Sequence, residues 1–172
     1  MNLKTDRLFI REIQGSDIPT LVEIWTDPEV TRFMGGPRDK GFLAQSFNED
    51  VEAGQPDSYD LWPAIEITSN QVVGHCGLLE KEVDGQPEIE LIYVLHKLVW
   101  GQGYATEAAI ALRDYALETR QLERLIALIN PANHASERVA QKVGMTLEKE
   151  VMRGDKLMRV YALTKSTLRS AV

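Results

Sequence analysis

The turn Trp100-Gly101-Gln102-Gly103-Tyr104-Ala105 constrains this chain more than any other stretch. A strand-like run, residues 88–95, precedes it, and a helix-period stripe of Ala108, Leu112, Tyr115 and Ala116 follows it. A strand that turns through glycines into a helix presents backbone N–H groups with no intrahelical partner, all aimed along the helix axis. Gly101 and Gly103 carry no Cβ, so the main chain can approach an anion closely, and Ala105 is small for the same reason. Aligned peptide dipoles add about half a positive charge at such an end. A pyrophosphate suits the turn without any lysine. The glycines alone do not name the compound. The third glycine of the dinucleotide fingerprint is missing, and so is the Gly-Lys-Ser/Thr ending of the Walker loop.

Around this turn the chain reads as one domain, residues 1–172, with no linker, repeat or low-complexity tract. Residues 8–13 form a first strand. Ser16 or Asp17 then caps a helix with Ile18, Leu21, Val22 and Trp25 on one face. Asp27-Pro28 restarts a short helix through Phe33, ended by Gly35-Gly36-Pro37, and a further helix covers residues 40–53 before the break at Gly54-Gln55-Pro56-Asp57. Strands follow at residues 60–68, 72–80 and 88–95, an antiparallel meander by the shortness of its connections, with Pro63 marking the first as irregular or an edge. After the helix of residues 103–118 come a buried strand (125–129), a helix (135–143) closed by Gly144, and two strands (145–153 and 157–163) joined at Gly154-Asp155-Lys156. The central strand–helix–strand unit implies a right-handed crossover and a parallel pair, and ligands collect beyond the carboxyl ends of such strands.

Composition narrows the function by exclusion. The net charge of −7 argues against a nucleic-acid binder and weakly favours cationic substrates such as amines, with plain solubility the first explanation. No apolar run is long enough to cross a bilayer, and the opening residues lack a secretion signal, so a cytoplasmic protein is expected, without a membrane partner. His75, His96 and His134 show no metal-ligand spacing, and the single cysteine, Cys76, lies in a strand where its neighbour His75 points to the other face. No metal is expected.

Longer stretches then identify a family. Glu90-Leu91-Ile92-Tyr93-Val94-Leu95, followed by Trp100-Gly101-Gln102-Gly103-Tyr104-Ala105-Thr106-Glu107-Ala108, resembles motif A of the GNAT superfamily of N-acetyltransferases. Asn130-Pro131-Ala132-Asn133-His134-Ala135-Ser136 through Gly144-Met145 resembles motif B. Thr5-Asp6-Arg7-Leu8-Phe9-Ile10-Arg11 is similar to the first strand of the RimJ/RimL-like branch, which acetylates ribosomal-protein N-termini. The chain departs from the family pattern in three places. Trp100 stands where Gln or Arg is usual, Ile92 where a Gly commonly precedes the tyrosine, and Met145 where a bulky Phe is common.

The resemblance implies a mixed α/β GNAT fold: a mostly antiparallel sheet of about seven strands, splayed between the fourth and fifth, with helices on both faces. It implies acetyl-CoA as cosubstrate and a primary amine as acceptor, either a peptide N-terminus or a small molecule. The pantetheine arm would pair near Val94 and Leu95, and the pyrophosphate would sit on the N–H groups of Gly101, Gln102, Gly103, Tyr104, Ala105 and Thr106. Glu90 is the implied general base, against the reading of a solvent-facing strand carboxylate. Ser136 is the implied general acid, against that of a serine serving its own helix end. Asn133 contacts the cofactor or caps the helix. Lys142, Arg138 and Lys97 are candidates for the 3′-phosphate, Tyr93 and Tyr104 for acid or contact roles, and Trp25, Phe33 and Trp62 for the acceptor side. A CoA-binding module without catalysis is the alternative function, and both a monomer and a homodimer are compatible with the sequence.

Overall fold

A computed structural model of the chain describes residues 1–54 and 59–169. Its strands are β1 (Asn2–Lys4), β2 (Leu8–Arg11), β3 (Leu61–Glu66), β4 (Gln71–Val83), β5 (Gln86–Leu95), β6 (Arg124–Ile129), β7 (Thr146–Arg153) and β8 (Lys156–Thr164). They form one sheet of eight strands in the order β1-β2-β3-β4-β5-β6-β8-β7. Every neighbouring pair is antiparallel except β5 and β6. The sheet thus has one strand more than expected. β1 has three residues, too few to show the alternation that marks a strand in sequence.

The helices are α1 (Ile18–Thr26), α2 (Lys40–Ala53), α3 (Tyr104–Asp114), α4 (His134–Lys142) and α5 (Lys165–Arg169). Period-2 alternation along β5 divides them between the two faces. Leu91 and Leu95 join the core under α3 and α4, with Leu78, Ala108, Leu112 and Val143. Ile92 and Val94 join a second core under α1 and α2, with Leu21, Trp25, Leu43 and Phe47. Asp39 starts α2 by accepting from Phe42 N at 2.7 Å, which fixes that helix where the sequence placed it. Asp84 and Gly85, with φ of 51° and 74°, form the two-residue turn that joins β4 to β5, closed by the Val83–Gln86 pair.

Three expectations change. Residues 27–33 form a single turn, not a helix: Thr31 N bonds to the Asp27 carbonyl at 3.0 Å, and Gly35 and Gly36, both at positive φ, stop it at once. The helix after the glycine turn ends in a widened π-turn, Tyr115–Thr119. β3 is an interior strand, but its pairing with β2 stops at Ala64, so Pro63 lies on a stretch with β4 alone as neighbour and no ladder bond is lost. Part of the expected break after α2, Gln55-Pro56-Asp57, lies outside the described residues.

Candidate active site

The end of β5 is shaped to leave backbone donors free. Trp100 folds back so that its indole Nε1 donates to the Leu95 carbonyl at 2.9 Å. Gly101 (φ 76°) and Gly103 (φ 86°) then carry the chain into α3 through left-handed conformations that side-chain-bearing residues avoid. The first bond into the helix is Glu107 N to Gly103 O at 3.1 Å. The N–H groups of Gly101, Gln102, Gly103, Tyr104, Ala105 and Thr106 find no acceptor among the described residues. A Cβ at Gly101 would stand in open space, so the turn faces outward with room for a ligand. These donors at a helix N-terminus fit a pyrophosphate.

The turn is held from behind by residues whose part sequence reasoning missed. Arg7 Nη1 donates to the Gln102 carbonyl at 2.9 Å and its Nε to Glu107 Oε2 at 2.6 Å. Thr5 Oγ1 and the Arg7 N–H share Glu107 Oε1, at 2.6 and 2.9 Å. The Arg7 guanidinium lies 4.3 Å over the Tyr104 ring, and Tyr104 donates its hydroxyl to Glu66. Tyr104 is therefore bound into this support. Both Arg7 and Glu107 sit inside the motifs, yet no local spacing pairs residues so far apart in the chain.

β5 and β6 meet where Glu90 lies opposite Ile126, and no further ladder pair joins them among the described residues. His96 N bonds to Val73 O, and Leu78 N to Asp60 O. Antiparallel alternation then turns the peptide groups of Glu90, Ile92 and Val94 toward β4, and those of Tyr93 and Leu95 toward the gap beside β6. Val94 is thus corrected as a backbone contact: its peptide group serves the β4 ladder opposite His75, and its side chain is buried under α1 and α2. Leu95 keeps a gap-facing N–H, while its carbonyl is taken by Trp100.

Glu90 is not solvent-facing. It is 8% exposed, and its Oε1 accepts from Leu128 N at 3.2 Å, across the parting of β5 and β6. Burial raises its pKa above the usual value, with Lys81, the Leu128 N–H and Arg153 pulling the other way. Such a carboxylate binds a proton more tightly than an exposed one. On the opposite face Tyr93 donates its hydroxyl to the Ser136 carbonyl at 3.1 Å. Asn133 caps α4, its Oδ1 accepting from Ser136 N at 3.2 Å, so the capping role has direct support. The Ser136 hydroxyl makes no hydrogen bond to another described residue.

The basic candidates separate. Lys97 is committed to Asp27 at 2.9 Å, with Glu29 at 3.9 Å, whereas Arg138 and Lys142 are exposed on α4, Lys142 in its last turn. Trp25, 8% exposed, lines a cavity of about 390 Å³ on the α1–α2 side, whose floor includes His75 and Leu79, whereas the side chain of Trp62, 4% exposed, belongs to the core under α3 and α4. Leu79 lies directly opposite Glu90 in the β4–β5 pair. Phe33 does not line that cavity. Burial holds His75 neutral and pushes the Cys76 thiol up to about 12, which makes it inert. No group of metal-ligating side chains occurs among the described residues, and no described helix is long and apolar enough to cross a membrane.

Comparison with known proteins agrees with this geometry. Residues 7–146 match the family described as acetyltransferase (GNAT) domain. YkkB of Bacillus subtilis (strain 168) is 34% identical over 160 residues, covering 92% of this chain and 93% of that protein. The crystal structure of a GNAT-family acetyltransferase from Bacillus anthracis superimposes with a TM-score of 0.80 at 27% identity, over 96% of this chain and 99% of that one. RimL, a ribosomal L7/L12 alpha-N-protein acetyltransferase solved with coenzyme A, shares the fold with a TM-score of 0.77 at 15% identity, over 95% of this chain and 98% of that one. The split sheet, the free amide turn and these likenesses agree: the chain belongs to the GNAT family and is an acetyl-CoA-dependent N-acetyltransferase.

Proposed function

We propose that the chain moves the acetyl group of acetyl-CoA onto a primary amine by direct attack in a ternary complex, with Glu90 as base and Ser136 as acid. One observation carries this reading: the unpartnered amide turn and a buried carboxylate meet at the same parting of two strands, on opposite sides of the sheet. The diphosphate rests on the N–H groups of residues 101–106, with Arg7 and Glu107 keeping the turn in place. The arm runs into the gap, where the amides of Tyr93 and Leu95 replace the missing strand partner.

The amine arrives as an ammonium and must lose a proton before its lone pair can attack. Glu90, ionised and made more basic by burial, accepts that proton, directly or through one water. The nitrogen–carbon bond forms, and the Leu95 N–H stabilises the oxyanion. The carbon–sulfur bond breaks: the Ser136 hydroxyl gives its proton to the departing thiolate and is reprotonated through solvent as the attacking nitrogen loses its remaining extra proton and becomes the neutral amide. Asn133 fixes the helix turn that carries Ser136. Lys142 and Arg138 stand on the outer surface of α4, the candidates left for the 3′-phosphate once Lys97 is withdrawn by its carboxylate partners.

The test is thiol release from acetyl-CoA against a panel of peptides and small amines, run beside calorimetry with CoA alone. Heat with CoA together with amine-dependent thiol supports transfer. Heat with CoA and no thiol with any amine reduces the protein to a CoA-binding module.

A further inference from the structure

The cavity on the α1–α2 side carries an unmet demand for positive charge. Its walls are aromatic and apolar (Trp25, Phe42, Phe47, Leu43), and its rim holds three carboxylates, Glu12, Asp50 and Asp60. Glu12 is paired with the Met1 ammonium. Asp50 and Asp60 have no cationic partner among the described residues. Among the described residues the Asp60 carboxylate accepts only from its neighbour Leu61 N, at 2.7 Å. Burial raises the pKa of Asp60, and the charges of Asp50 and Glu12 add to the rise, so the three form one electrostatic group.

The cavity's own cation does not answer them. The Arg38 guanidinium is spent on the carbonyls of Met34 and Gly36, at 2.7 and 3.2 Å. His75 is neutral at physiological pH.

The sheet fixes how these groups stand relative to Glu90. Glu90 lies opposite Leu79, and Gly77, two residues back on the same face of β4, lies opposite Leu61. A Cβ at Gly77 would collide with the Asp60 carbonyl, so the glycine is what lets Asp60 lie against β4. Asp60 and Glu90 are therefore about two strand spacings apart, roughly 10 Å.

We propose that the acceptor is a small dication: a primary amine presented to Glu90, an apolar chain along the aromatic walls, and a second protonated amine between Asp50 and Asp60. A volume of about 390 Å³ suits a small molecule or one terminal residue. The proposal rests on the reading of this face as the acceptor side.

Lysine N-methylamide and norleucine N-methylamide form the matched probes, since both carry an α-amine and a carbonyl and only the first has a second cation. Binding to the CoA-loaded protein is measured by calorimetry, and turnover separately by thiol release. The expected result is lysine amide binding at least tenfold tighter, with the preference falling below about threefold in Asp60→Asn. Asp50→Asn, on the exposed face of α2, serves as a second variant with the same expected direction should Asp60→Asn fold poorly. Equal affinity for the two amides, or a preference unchanged in the variant that folds, overturns the proposal. Tight lysine amide binding without thiol release leaves the dication site standing and refutes acetyl transfer instead.

Discussion

The hydroxyl of Tyr93 donates to the backbone carbonyl of Ser136 at 3.1 Å and so ties β5 to the first turn of α4 on the side where β5 and β6 have parted. Burial pushes the phenol up to about 12, so it remains a donor throughout the working pH range. The bond engages the main chain of Ser136 and leaves its hydroxyl free for the thioester. Tyr93→Phe is expected to cost about 1 kcal/mol in urea unfolding, the usual worth of one such bond. Ser136→Ala touches neither this bond nor the Asn133 cap and should leave stability within about 0.5 kcal/mol. If the hydroxyl protonates the thiolate, the same variant lowers kcat about 100-fold. A kcat that survives the substitution takes Ser136 out of the chemistry.

Arg7 holds the phosphate turn by one bond to the Gln102 carbonyl and by its pairing with Glu107. Its side chain is 44% exposed, so the ion pair itself adds little to stability. The consequence of Arg7→Ala should appear in ligand affinity instead. A turn free to shift no longer presents its N–H groups to one point, and CoA binding is expected to weaken about tenfold, with unfolding free energy changed by less than about 1 kcal/mol. Calorimetry with CoA and a urea melt on the same sample separate the two. Unaltered CoA affinity means that the turn holds its shape without Arg7.

What was legible in the sequence was what is local. The amide turn could be read because glycine spacing, a preceding strand and a following helix all lie within one short stretch, and the bounds of α2 because its apolar spacing runs up to the break at Gly54. Asn133 was readable as a cap for the same reason. The gap-facing amides were not, because alternation along β5 depends on where its ladder with β4 begins, which only His96 N on Val73 O reveals. The cavity was not legible either. Glu12 precedes α1, Asp50 lies in the last turn of α2, Asp60 precedes β3 and His75 lies in β4, so no spacing in the chain announces the group that folding assembles.

The raised pKa of Glu90 has consequences for both rate and stability. As base, Glu90 must be ionised, so kcat/KM should rise with pH through its raised value, and Glu90→Gln should lose that rising limb. Glutamine keeps an oxygen for the Leu128 N–H, so the variant is expected to fold. The folded protein holds this proton more tightly than the unfolded chain. The associated stability is therefore complete below the unfolded carboxylate pKa and is lost as pH rises through the folded value. Glu90→Gln should show no such loss in urea melts as pH rises above the unfolded carboxylate value of about 4.3. A wild-type pH–rate profile in the variant would assign the rising limb to another group.

The Trp25 indole N–H donates to His75 Nδ1 at 3.0 Å, which places the imidazole proton on Nε2 and requires the ring to be neutral. Phe47 packs edge-on against the same ring at 5.6 Å, and burial lowers the pKa from 6.5 to about 4. The sign is opposite to that of Glu90. The unfolded chain takes up the proton first, so the stability tied to neutral His75 is complete above about pH 6.5 and is lost as pH falls toward 4. The full difference is on the order of 3 kcal/mol, of which about 2 kcal/mol falls between pH 7 and pH 5. Urea unfolding at those two pH values should show the wild type losing that much more than His75→Gln, while NMR of the imidazole finds His75 still neutral at pH 5. A ring that titrates near 6.5 in the folded protein would mean that the Trp25 bond does not hold it in the neutral form, and the floor of the acceptor cavity would then carry a positive charge in mild acid.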